Sequence, residues 1–121
     1  MKFATKEMIL KTEDLKTEDI EVKEWDLVIR IKALSLTQYS VLKNEKLTEE
    51  QYFYKILAMS IIDEQGNRLF SDEEYSVLGD KSPDTLKFIF SHIEVLNGFK
   101  KSNKERKEEF ESDPLKDLPT V

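Results

Sequence analysis

Cysteine is absent from this 121-residue sequence, and histidine and tryptophan occur once each. Without thiols the chain has no disulfide, no thiolate metal site and no cysteine nucleophile, a composition that fits a reducing compartment. The single imidazole, His92, has no second histidine or cysteine beside which to build a metal site or a nucleophile–base pair. Glycine is scarce. Gly66, Gly79 and Gly98 stand singly, each where a turn or a helix end calls for one, and no phosphate-cradling loop can be made of them. No apolar run approaches the roughly 20 residues that cross a bilayer. The opening Met1-Lys2-Phe3-Ala4-Thr5-Lys6-Glu7 lacks the apolar core of a signal peptide. The expectation is a cytoplasmic protein with no membrane partner.

Positive charge is also in deficit, with 19 lysines and arginines against 25 acids and a net charge of -6. A surface of that sign repels phosphate backbones, so nucleic acid is not expected as a partner. What the sequence does have is enough apolar residues, 39%, to build one modest core, and a length that suits one domain.

Residues 1–18 read as an arm or short helix whose apolar cluster is Met8-Ile9-Leu10. Over 19–33, Ile20 and Val22, then Leu27, Ile29, Ile31 and Ala33, alternate with other residues at period two, the pattern of half-buried strands. A hairpin is the expected result. Trp25-Asp26 is not a favoured pair for a two-residue primed turn, so the bend is expected to be longer.

A six-residue pattern then recurs at Leu34-Ser35-Leu36-Thr37-Gln38-Tyr39, Leu47-Thr48-Glu49-Glu50-Gln51-Tyr52 and Phe70-Ser71-Asp72-Glu73-Glu74-Tyr75. In each, a hydroxyl can cap the N3 amide, the Gln or Glu at N3 can reach back, and the flanking apolar pair can staple the first turn. Ser82-Pro83-Asp84 marks a fourth helix start, and Asn97-Gly98 its end. Leu78-Gly79 is expected to end the third helix. The second, about 48–63, is apolar on nearly every side and belongs at the centre of the fold. Between it and the third, 63–68 is a polar turn leading to a buried pair, Leu69-Phe70. The fourth has a core stripe of Leu86, Ile89, Phe90, Ile93 and Leu96, and a second line of Phe88, His92, Val95 and Phe99. Residues 100–121 read as a polar tail, partly helical or disordered. The expected class is α+β: a β-hairpin followed by a bundle of about four helices, one domain over 19–99.

The acids cluster at helix starts, where capping and the helix dipole account for them. The turn at 63–67 lacks the alternating acids of a calcium loop. No enzyme activity, metal or cofactor is expected. The candidate partner-binding residues are Trp25 at the bend and Phe88, His92, Val95 and Phe99 on the last helix.

The opening Thr5-Lys6-Glu7-Met8-Ile9-Leu10, the approach over residues 14–22 and Glu24-Trp25 before Val28-Ile29-Arg30-Ile31 resemble the start of siphophage tail assembly chaperones. Residues 58–74, where a helix ends in an acidic glycine turn and a Leu-Phe-Ser-Asp cap begins the next, are similar to a later segment of that family. So are Leu78-Gly79-Asp80-Lys81-Ser82 and Leu96-Asn97-Gly98. Together these span about residues 3–98, and their order is more specific than any piece. The sequence departs from the family at Lys23-Glu24 and Asp26, where proline before the tryptophan and glycine after it are frequent. The resemblance implies a host-cytoplasmic protein that binds the tape-measure protein and recruits tail-tube subunits during tail assembly. It further implies self-association and a longer, frameshifted form sharing this domain. The alternative is a general interaction adaptor or regulator of phage or bacterial origin.

Overall fold

A computed structural model of the chain describes residues 1–99, and the tail expected at 100–121 lies outside the described residues. Helix α1 (Lys6–Lys11) precedes strands β1 (Thr17–Val22) and β2 (Leu27–Lys32). Helices α2 (Leu36–Asn44) and α3 (Glu49–Ser60) come next, then strand β3 (Ile61–Ile62), a 3-10 helix (Asp72–Asp80) and helix α4 (Pro83–Leu96). The architecture is α+β, a three-stranded antiparallel sheet in the order β1-β2-β3 with helices after the hairpin.

Period-two alternation produces the hairpin. The register Glu18↔Ile31, Ile20↔Ile29 and Val22↔Leu27 places alternate residues on one face, and Ile20, Val22 and Ile31 are buried there. The other face carries the Asp19–Arg30 pair. The guanidinium donates from Nε and Nη2 to the two carboxylate oxygens at 2.7 and 3.1 Å. These hydrogen bonds hold the Asp19 carboxyl below its usual range. The bend is longer than two residues, as its composition requires: Lys23–Trp25 form one 3-10 turn, closed by Asp26 in the left-handed region at φ 53°. Aspartate tolerates that conformation better than most side-chain-bearing residues.

The capping motifs start all three segments. Ser35 Oγ accepts from the Gln38 amide at 3.2 Å while Gln38 Oε1 accepts from Ser35 N–H at 2.9 Å. Thr48 and Gln51 repeat the exchange at 3.1 and 3.0 Å. At the third site Glu74 accepts from Ser71 N–H at 2.9 Å, and its carboxyl is lowered by that backbone bond and by the Ser71 hydroxyl. The segment that Ser71 caps is a 3-10 helix, and Gly79 lies inside it instead of ending it in the left-handed conformation. A Cβ there would stand 3.2 Å from the Tyr54 hydroxyl of α3, a tight contact to which the tyrosine would have to yield by a few tenths of an ångström. At the end of α4, by contrast, Gly98 has φ 78°. Gly98 N–H donates to Val95 and Phe99 N–H to Glu94, a Schellman closure.

The long helix expected over 48–63 stops at Ser60. Ile61 and Ile62 instead pair with Ile31 and Arg30 as β3, a strand the helical reading did not contain. Both isoleucines are buried. Asp63 ends the strand, its Oδ1 accepting from the Gln65 and Asn67 amides at 2.9 Å each. The chain then doubles back so that Leu69 N–H reaches Ile61 O at 3.2 Å. In the core, Ile56 and Leu57 of α3 meet Ile89 and Ile93 of α4 and Ile31 of the sheet, each at most 1% exposed. Asn97 fastens the last helix to the second: its Oδ1 accepts from Leu34 N–H at 2.7 Å and the Tyr39 hydroxyl at 3.2 Å.

Candidate functional site: two apolar surfaces left uncovered

Two faces of the domain keep apolar side chains in solvent. One is the outer face of α4. With Leu86, Ile89 and Ile93 turned into the core, helical spacing turns Phe88 and Val95 outward, 44% and 59% exposed. Between them His92 is half-buried. Its Nδ1 lies 2.6 Å from Oε2 of Glu18 on β1, a bond spanning the sheet–helix junction. The Phe88 ring meets the imidazole edge-on, centroids 4.9 Å apart. His92 is thereby fixed by β1 on one side and braces Phe88 on the other.

The other residues of the expected set are placed differently. Phe99 turns back past the Schellman closure and packs edge-on against Tyr39 at 5.4 Å. Trp25 is half-buried against the core. The structure therefore gathers Phe88, His92 and Val95 on one helix face, puts Phe99 in an internal contact and sets Trp25 in the wall of a second surface.

That second surface is a groove of about 520 Å³ between the β2 end of the hairpin and the returning segment at 69–70. Its walls are mainly apolar, with Trp25, Leu27, Ile29, Leu69 and Phe70 among them, and Asp19, Arg30, Asp63, Glu64 and Lys81 stand around it. Leu69 and Phe70 read from sequence as a buried pair, but Leu69 is 54% exposed and Phe70 only half-buried. The reason is the return from Asp63, which carries Leu69 alongside β3 at the sheet margin instead of beneath it.

The groove also borders an open strand edge. Within β2 only Arg30 and Ile31 pair with β3, so among the described residues Leu27 to Ile29 have no strand on that side. The Ala33 N–H bond to Lys16 O sets the alternation along β2: odd-numbered residues bond toward β1, and Val28 turns its amide and carbonyl to the open side. Val28 is itself 64% exposed. The polar turn read at 63–68 marks where β3 stops, but no local signal in the sequence sets Ile61 and Ile62 apart from the end of α3 as a strand.

Among the described residues no three His, Asp or Glu side chains come together where they could hold a metal ion. No helix of the described residues is long and apolar enough to cross a membrane. No protein-family model, curated protein or solved structure matches the chain.

Proposed function

We propose that this chain is a non-enzymatic tail assembly chaperone of a long-tailed phage or prophage. In the host cytoplasm it would hold the tape-measure protein soluble and recruit tail-tube subunits to it. The observation that carries this reading is the apolar ridge of Phe88 and Val95 standing in solvent on a helix whose opposite face is fully buried. Seven residues along a helix set the two side chains about 10 Å apart on one face. That is the spacing at which one amphipathic helix meets another, and a tape measure is a long, largely helical client. A domain with a net charge of -6 that covers an apolar stripe of such a client lends it a charged exterior. The order of sequence landmarks over residues 3–98 supports the same family.

The test is co-expression of the tagged chain with the tape-measure and tail-tube proteins of the same genome. Both are expected to co-purify. Phe88→Asp with Val95→Asp is expected to lower tape-measure recovery at least about tenfold, with the helical circular dichroism unchanged because neither side chain is in the core. Failure of the wild-type chain to retain either protein would leave the adaptor reading in its place.

A further inference from the structure

Among the described residues nothing covers the groove beside the open edge of β2, and nothing covers the arm that precedes the sheet. Helix α1 has no buried residue. Phe3 is fully exposed, and Ile9 and Leu10 are 60% and 73% exposed. A helix of six residues is too short to persist in water by itself, so such an arm gains stability mainly by docking. Its charge is opposite to that of the body: residues 1–11 hold three lysines against one glutamate, so the rest of the chain carries the whole negative excess. At the groove, Asp19 is neutralised by Arg30, which leaves Asp63 and Glu64 against Lys81.

We propose that this groove seats residues 1–11 of a second copy of the chain, two copies exchanging arms. The stretch 1–5 has no helical structure, and run as a strand it puts Met1 and Phe3 on one side at period two. Laid along β2, it pairs with the open amide and carbonyl of Val28 and places those two side chains against Trp25, Leu27 and Leu69. The arm's lysines then meet Asp63 and Glu64. Within one chain the arm does not enter the groove: none of residues 1–11 lines it, and the apolar side chains of the arm are exposed. A two-fold exchange fills two grooves at once, bringing the buried area toward the roughly 1,600 Å² of a stable complex. The exchange uses neither Phe88 nor Val95, so it stands or falls independently of the client.

Sedimentation velocity on the full chain from about 1 µM to about 500 µM, with fluorescence of Trp25, the sole tryptophan, tests the exchange. The wild-type mass should rise toward that of a dimer, with the Trp25 emission moving to shorter wavelength along the same curve. Phe3→Asp with Ile9→Asp in the arm, and Leu69→Asp in the groove, should each weaken association at least about tenfold. All three positions are exposed, so folding is not at issue. Mixing the arm variant with the groove variant should restore a dimer held by one intact arm and one intact groove. A wild-type chain that stays monomeric throughout would overturn the proposal. So would arm variants that associate like the wild type, or an emission change on arm substitution in dilute monomer, which would place the arm in its own groove.

Discussion

Replacing Asn97 by alanine tests the least obvious joint in this fold. The Asn97 carboxamide takes two bonds from the start of α2, the Leu34 amide at 2.7 Å and the Tyr39 hydroxyl at 3.2 Å. It also donates to Ile93 O at 2.8 Å. That carbonyl keeps the Asn97 backbone amide at 3.0 Å, so losing the third bond matters little. Losing the first leaves a partly buried N–H unpaired, at about 1–2 kcal/mol, and losing the second adds about 0.5–1 kcal/mol. Asn97→Ala is therefore expected to cost roughly 2 kcal/mol. With a urea m-value of about 1–1.5 kcal/mol/M, the midpoint should fall by between about 1 and 2 M, read by circular dichroism and by Trp25 emission. Asn97→Asp keeps the accepting oxygen but sets a carboxylate oxygen where Nδ2 donated to Ile93 O at 2.8 Å, and its charge near a helix C-terminus adds a penalty of about 0.3–1 kcal/mol. Its cost is therefore expected to be comparable to that of alanine. In a Tyr39→Phe background the alanine substitution should cost less, because one of its bonds is already gone. An alanine variant within about 0.5 kcal/mol of wild type, or an alanine cost unchanged in the Tyr39→Phe background, would refute this account of the joint.

Three further outcomes are expected. Ser60 is fully buried at the end of α3, and its hydroxyl has no hydrogen-bond partner among the described residues. Ser60→Ala should raise stability by about 1 kcal/mol in urea unfolding, and a loss would mean that the hydroxyl is satisfied. Gly79→Ala should be nearly neutral in the wild type, where the new methyl presses on the Tyr54 hydroxyl at 3.2 Å. In a Tyr54→Phe background it should stabilise by about 0.4–1 kcal/mol by restricting the unfolded chain, with additivity in the double-mutant cycle as the contrary result. The Glu74 carboxyl is lowered by the Ser71 amide and hydroxyl. Because the folded value lies below the unfolded one, its contribution is present above the ordinary glutamate range and is lost as pH falls through the folded value. Glu74→Gln should flatten the acid limb of the stability–pH curve below about pH 4.5, and an unchanged slope would count against that cap.

Much of this fold was legible because its signals are local. A capping box needs only four consecutive residues, and Ser35–Gln38 and Thr48–Gln51 form theirs as the sequence indicates. The hairpin was legible because Ile20, Val22, Ile29 and Ile31 keep period two through both strands. Gly79 misled because a glycine after a leucine looks like a helix stop, whereas it lies inside the 3-10 helix against Tyr54, 25 residues earlier in the chain. Asn97 was legible as a helix end but not as a joint, since its partners Leu34 and Tyr39 lie 63 and 58 residues away. The site was legible in part for the same reason. Helical spacing separates Phe88 and Val95 from the core stripe, but it does not show that Glu18 would fix His92 between them.

The groove shows why the remainder could not be read. Up to Ser60 the apolar residues of α3 fit a helix, and Ile61 and Ile62 would continue it equally well. What decides otherwise is the edge of β2: Ile31 and Arg30 need a neighbour, and two β-branched residues emerging beside them supply it. Had the strand continued three residues further in the same register, it would have covered Val28 and closed the sheet margin. Asp63 stops it by capturing the Gln65 and Asn67 amides, and the return then leaves Leu69 outside. Open edge, exposed leucine and groove are thus consequences of one aspartate turn acting on a tertiary pairing. Neither is visible from periodicity, although each of the residues involved was in plain view.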